Sequence, residues 1–262
     1  MKKFCVGIAL LLSACGGGGS YSDQSGSSGG STGGSAPSAA GRYDGTLSNN
    51  RSVSALVLSN NSYWMWYTRS GSSTTPGGFI QGSGSVTGTD NANGSLSSTD
   101  GLDFSVEGNG IRSLSLNGSY ATQISLSATL SYSSGTSSLG SSYNAAYAAT
   151  PSLQTLAGIF VGPGGSILSS ANYISTATVT VTAAGAISSV DSNGCQSSGT
   201  ISPHSSGNLY DVRIVYGGGG CALGSTTVSG VAMYDSGTQL LRYAAVDGNR
   251  SVGAMFSGGR TQ

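Results

Sequence analysis

Asp100, Asp103 and Glu107 form the densest local group of acids in the chain, and a carboxylate pair is what glycoside hydrolysis needs, one to give a proton and one to attack or to activate water. On a single strand Asp103 and Glu107 share a face but stand about 13 Å apart at about 3.3 Å per residue. That exceeds the roughly 5–9.5 Å over which retaining or inverting chemistry works, so the cluster reads as a solvated hairpin edge. His204 is the only histidine, in a stretch from Ser202 to Asn208 with the composition of a turn, and one imidazole makes neither a zinc site nor a triad by itself. Gly26, Ser28 and Gly30 match Gly-x-Ser-x-Gly inside a Gly/Ser-rich stretch where chance matches abound. The run from Asp90 to Gly94 fails the EF-hand spacing because Ala92 occupies a ligand position. Gly217 to Gly220 lacks the lysine and following helix of a phosphate loop and reads as a bulge. The expectation is a non-enzyme with no catalytic residue, no cofactor and no metal site.

The remaining candidate is aromatic. Ser62 to Tyr67 is the densest such stretch, and on a strand Trp64 and Trp66 share one face while Tyr63, Met65 and Tyr67 share the other. Both faces cannot meet solvent. Either one face fills a core and the other packs under a loop or neighbouring module, or Tyr63, Trp64, Trp66 and Tyr67 offer a ligand platform for a sugar, a lipid or a partner side chain.

The elements that must carry these residues are strands. From residue 42 the dominant pattern has period two: Ile124, Leu126, Ala128 and Leu130 alternate with small polar residues, and Thr176, Thr178, Thr180 and Thr182 alternate with Ala177, Val179 and Val181. Asn93-Gly94, Asn117-Gly118 and Asn193-Gly194 supply the positive φ angles of tight hairpins. No helical pattern is long enough for a βαβ unit. Thr150 to Gly158 reads as a short linking helix, with a cap, a proline at the first helical position and a terminal glycine. Gly41-x-Tyr43-x-Gly45 and Gly158-x-Phe160-x-Gly162 open two halves alike. The expected fold is all-β, with two antiparallel modules over 42–150 and 151–262. Each is a small barrel or closed sandwich of about eight strands, closure being the usual answer to exposed strand edges.

Ahead of these modules, Lys2 and Lys3 precede an apolar run from Phe4 to Leu12, too short to span a bilayer, which takes about 20 apolar residues. The run ends in Leu12-Ser13-Ala14-Cys15, which resembles the lipobox of bacterial lipoproteins. That resemblance implies a signal peptide over 1–14, removed after Ala14, with diacylglycerol on Cys15 and a further acyl chain on its amino group. Several chains hold a protein to a membrane where one alone is marginal. Gly16, where inner-membrane lipoproteins typically carry aspartate, implies the outer membrane, with the periplasmic and cell-surface faces both open and the surface favoured. Residues 15–41 then comprise the lipidated cysteine and a flexible Gly/Ser tether of about 25–30 Å root-mean-square reach.

With Cys5 removed and Cys15 lipidated, Cys195 and Cys221 remain in an oxidising compartment, where one disulfide would close a loop of about 27 residues and contribute roughly 3 kcal/mol. The chain after Cys15 has no lysine, eight arginines, nine aspartates and one glutamate, a net charge near −2. The charges are scattered singly, which argues against nucleic acid as a partner. Charged residues are 8% of the chain and 44 residues are glycine, so Ser, Thr, Asn and Gly must cover the surface.

The stretch from Asp191 to Ala232, with its Cys195 and Cys221, resembles a cysteine-paired module at the C-terminal end of many proteobacterial lipoproteins of unassigned function. A weaker likeness, resting on anchor, tether and eight-strand modules, is to surface lipoproteins that bind host transferrin or complement regulators, and a fold-level likeness transfers no ligand. Together these imply an outer-membrane lipoprotein held through lipid on Cys15. Its role would be non-enzymatic, binding a protein or glycan partner or serving envelope structure. The alternative is a periplasm-facing, lipocalin-like carrier of a small apolar ligand.

Overall fold

The computed structural model describes residues 38–89, 92–108 and 110–261. Cys15, the signal peptide and nearly all of the tether lie outside them. Strands β1 (Gly41–Leu47), β2 (Ser52–Val57), β3 (Ser62–Thr68), β4 (Pro76–Ser83), β5 (Ser85–Thr89), β6 (Asn93–Ser105), β7 (Gly110–Ala121), β8 (Ser125–Tyr132) and β9 (Gly135–Tyr143) build the first half. The second contains β10 (Gly158–Leu168), β11 (Asn172–Val181), β12 (Ala186–Asp191), β13 (Gln196–Pro203), β14 (Tyr210–Tyr216), β15 (Thr227–Asp235), β16 (Leu240–Val246) and β17 (Val252–Arg260).

Each half is a closed, antiparallel, eight-strand barrel in which sequential strands are neighbours. In the first, β4 and β5 act as one strand bent at Gly84, and the long β6 pairs with β5 along its first half and with β4 along its second. β1 pairs with β9 and completes the ring. In the second, β10 pairs with β17. Between the barrels lie a 3₁₀ turn over Ala145–Ala148 and a one-turn helix, α1 (Leu153–Leu156). The expected linking helix exists, but Ser152 rather than Thr150 caps it, accepting from the Thr155 amide. Its Leu156 is buried in the second barrel's core, and the Arg260 guanidinium donates to the Ala157 and Thr155 carbonyls beside it.

Alternation sets the two cores. Tyr43, Ala55, Met65 and Ile80 lie across β1–β4 in register and point inward, as do Val179, Val181, Ile187 and Phe160 in the second barrel. Three local expectations change. Ile124 is 67% exposed, because Gln123 adopts φ 55° in a turn before β8 begins at Ser125. Asn117-Gly118 is not a turn but the middle of β7, where a β-carbon on Gly118 would stand 2.6 Å from the Ser127 carbonyl oxygen. Asn93-Gly94 opens β6, whereas Asn193-Gly194 does form a turn, with Gly194 at φ 81°.

A third apolar cluster joins the barrels. It contains Leu56, Trp64, Trp66, Phe79 and Phe104 from the outer wall of the first, and Ile167, Val231, Met233, Ala244 and Met255 from that of the second. Arg250, in the β16–β17 turn, crosses to donate to the Gln81 and Asp100 carbonyls at 2.8 and 2.6 Å.

Candidate functional site

The aromatic strand β3 offers no open platform. Tyr63 and Tyr67 point into the first barrel, and Trp64 and Trp66 point into the inter-barrel cluster, all four being buried. The physical reason is register: Ser54 pairs with Trp66 and Trp66 with Phe79, while Leu56 pairs with Trp64, so the tryptophans stand in the rows that the second barrel covers. Phe79 stacks on Phe104 with centroids 4.7 Å apart and on Trp64 at 6.0 Å.

The acid cluster separates into three structural ties. Asp103 is no solvated edge: at 1% exposure it faces the first barrel's interior, accepting from the Tyr67 hydroxyl and from Arg112, each at 2.6 Å. Burial pushes its carboxyl above the usual range against the opposing pull of Tyr67 and Arg112. Glu107 pairs with Arg51, whose guanidinium lies 5.4 Å from the Tyr67 ring centroid. Asp100 accepts from the Ser83 amide, the Ser98 hydroxyl and Arg250. His204 Nδ1 lies 2.7 Å from Asp211 Oδ1. The first barrel's Arg51, Asp103, Glu107, Arg112 and Tyr132 line a cavity of about 270 Å³ at one end. Among the described residues no three of His, Cys, Asp and Glu come together as a metal site would require. Residues 90 and 91 of the Asp90–Gly94 loop lie outside the described residues.

Cys195 and Cys221 are joined, with Cα atoms 4.5 Å apart. Gly218 and Gly219, both at positive φ, turn the chain after β14 so that Cys221 returns to Cys195. The bridge borders a cavity of about 320 Å³ at one end of the second barrel, lined also by Ser166, Ser175, Asp191, Tyr216 and Tyr243. Ser175 donates to Asp191 at 2.8 Å.

The cleft between the barrels is built from residues far apart in the chain. On β1, Tyr43 points inward, so Arg42 and Asp44 point outward beside Ser54 of β2. On β16, Arg242 lies between Met233 and Ser257 in register and faces Arg42, Asp44 and Ser54 across the gap. Arg42, Asp44, Ser54, Arg242 and Ser257, with Ser52, Trp66, Thr68, Pro76 and Met255, line a cavity of about 210 Å³. Both oxygens of Asp44 are engaged: Arg42 Nε lies 3.1 Å from Oδ1, and Arg42 Nη2 and Asn144 Nδ2 lie 3.0 and 2.5 Å from Oδ2. Burial opposes ionisation of Asp44, but Asn144, Arg42 and Ser54 outweigh it and hold the carboxyl below its usual range. Arg242, by contrast, has one long hydrogen bond, to Ser54 Oγ at 3.5 Å, and no carboxylate within 4.0 Å among the described residues. Burial and the nearby Arg42 push its pKa down against the opposing pull of Asp44 and Asp235. The one signal in the sequence was an arginine inside the apolar run from Leu240 to Val246, which gives no hint of what covers that face.

No family model matches the chain, and no curated protein matches it. Among solved structures, a mutant of the vaccine antigen transferrin binding protein B from Haemophilus parasuis Hp5 is similar at TM-score 0.32 and 7% identity, over 81% of this chain and 66% of that one. Isotype 1 transferrin binding protein B from serogroup B Neisseria meningitidis is similar at TM-score 0.33 and 9% identity, over 80% and 59%. A protein of unknown function from the DUF3598 family of Nostoc punctiforme gives TM-score 0.25 and 13% identity, over 85% and 96%. The chain thus spans less than two thirds of the length of the two transferrin-binding proteins.

Proposed function

We propose that the chain is a lipid-anchored outer-membrane lipoprotein whose two-barrel head acts as a non-enzymatic binding or envelope-structural protein. The observation that carries this reading is how the titratable groups are used. Asp100 holds Arg250, Asp103 holds Tyr67 and Arg112, Glu107 holds Arg51 and Asp211 faces His204. These groups fix strands, turns and the junction of the barrels, and a group locked in a structural ion pair is poorly placed to move protons for a substrate. Cys15 supplies the membrane attachment, and its lipid is the membrane partner. Among the described residues no helix is long and apolar enough to cross a bilayer.

Two experiments test the reading. Replacing Cys15 with Ser should move a folded, disulfide-bonded head into the soluble fraction, and a variant that stayed membrane-bound would exclude lipid on Cys15 as the anchor. Protease shaving of whole cells, with mass spectrometry of the released peptides, decides between the surface and periplasmic faces. Surface display should yield peptides from exposed turns such as Asp235 to Thr238. For the apolar-carrier alternative, the cavity beside the disulfide has a mixed lining, Ser166, Ser175, Asp191 and two tyrosines together with Ala177, Ala222 and Met255, where a carrier of apolar ligands needs a predominantly apolar one.

A further inference from the structure

The inter-barrel cleft contains an arginine with no carboxylate in contact: Asp44 and Asp235 act on Arg242 from a distance, and neither lies within 4.0 Å of it. Arg42 and Arg242 contribute two positive charges and Asp44 one negative charge, and both Asp44 oxygens already face Arg42 or Asn144. Arg242 is half-buried, and an arginine partly drawn from water is ordinarily matched by a carboxylate or another acceptor set. Among the described residues Arg242 has only Ser54 Oγ, at 3.5 Å. A second observation lies in the same wall: Trp66 is 5% exposed and its Nε1 is buried without a hydrogen-bond partner among the described residues, a state that buried indole N–H groups usually avoid. The rest of the lining is mixed. Ser52, Ser54 and Thr68 offer hydroxyls, and Pro76 and Met255 an apolar edge.

We propose that the cleft between the two barrels is a binding site for a carboxylate group, with Arg242 as its direct ligand and the surrounding hydroxyls as secondary partners. The planar guanidinium fork matches a carboxylate in two parallel hydrogen bonds, and the bound anion would give Arg242 the contact partner it lacks. An acidic sugar fits the whole lining: its carboxylate takes Arg242, its hydroxyls meet serine and threonine, and its ring face meets Met255 and Pro76. The site is assembled from both barrels, since Arg242 and Ser257 come from one while Arg42, Ser54 and Trp66 come from the other. The proposal deepens the binding-protein reading and rests on it.

The chain has two tryptophans, so their indole N–H resonances report directly on the cleft. The full-length chain in detergent is titrated with sodium glucuronate, sodium acetate, glucose and inorganic phosphate, and Trp64→Phe distinguishes the two signals. Glucuronate should shift the Trp66 resonance saturably and glucose should not. Arg242→Gln should weaken binding at least tenfold, and Arg242→Lys should weaken it less, because it keeps the charge and loses the fork. The Arg242→Lys arm stands if the glutamine variant does not fold. Acetate binding as well as glucuronate supports the carboxylate site and assigns it to a bare carboxylate rather than a sugar acid. Binding of phosphate alone, equal binding of glucose, an undiminished response in both Arg242 variants, or no saturable shift with any ligand overturns the proposal. That failure is separable from failure of the binding-protein reading, which the shaving and Cys15→Ser experiments address without any carboxylate.

Discussion

Gly253 lies against Phe104 so closely that a β-carbon at Gly253 would stand 2.5 Å from the ring's Cδ1, and 2.9 Å from Cζ of Phe79. The two phenylalanines come from β4 and β6 of the first barrel, and the glycine from β17 of the second. The absence of a side chain at one position is what lets a stacked aromatic pair meet the neighbouring sheet. The barrels therefore share a core and do not merely touch.

Gly253→Leu should wedge that junction open. Overpacking of a well-fitted core costs about 1–3 kcal/mol, and here the strain falls on the contact between barrels, leaving each barrel's own interior intact. Chemical denaturation followed by tryptophan fluorescence should show a lower midpoint. A variant with an unchanged midpoint would show that the junction repacks freely around Phe104.

Removing the Asp103 carboxylate tests the other end of the first barrel. Asp103→Ala leaves the buried Tyr67 hydroxyl without its acceptor, and the unmet hydroxyl should cost about 1–3 kcal/mol. Arg112, which is more exposed, can turn to water and should add little. Thermal unfolding of Asp103→Ala beside Tyr67→Phe and the double variant measures the coupling. Strictly additive losses would mean that the 2.6 Å hydrogen bond contributes nothing of its own.

Much of the fold was legible because alternation reports burial directly: Val179 and Val181 face in, Thr178 and Thr180 face out, and Leu126, Ala128 and Leu130 fill the first barrel. What alternation cannot report is whether an outward face stays wet. Trp64, Trp66 and Phe79 are outward residues of one barrel that become core only because a second barrel covers them. The same blindness hid the cleft, since Arg242 and Asp44 are 198 positions apart and meet only when the barrels dock. Local turn chemistry was legible at Asn193-Gly194. It misled at Asn117-Gly118, where the glycine answers to strand-to-strand contact and leaves no mark in its neighbours.

The Cys195–Cys221 bridge should stabilise the second barrel by roughly 3 kcal/mol through the unfolded chain. Cys195→Ser with Cys221→Ser should lower the melting midpoint while leaving far-ultraviolet dichroism unchanged below it, because β13 and β14 are hydrogen-bonded without the bridge. Loss of strand signal at low temperature would mean instead that the bridge is required for the barrel to close.

Alkaline pH should unfold the protein through its buried phenols. Burial, reinforced by neighbouring tyrosines, pushes Tyr43 from 10.0 up to about 12, and burial pushes Tyr216 likewise to about 12 against the hydrogen bonds of Tyr243 and Ser166. The unfolded chain releases these protons near pH 10 while the folded chain retains them, so the folded state binds more protons between the two values and stability falls as pH rises through that window. The contribution is fully present below pH 10 and is lost by about pH 12, each tenfold difference in proton affinity between the folded and unfolded chains being worth about 1.4 kcal/mol. Phenolate absorbance followed together with circular dichroism should show part of the tyrosine signal appearing only as the strands melt. Tyr43→Phe, which removes one such group at the loss of its hydrogen bond to the Ala39 carbonyl, should move the alkaline midpoint upward relative to the neutral-pH stability of the same variant. Tyrosines that all titrated reversibly near pH 10 with the fold intact would contradict the buried placement of Tyr43 and Tyr216.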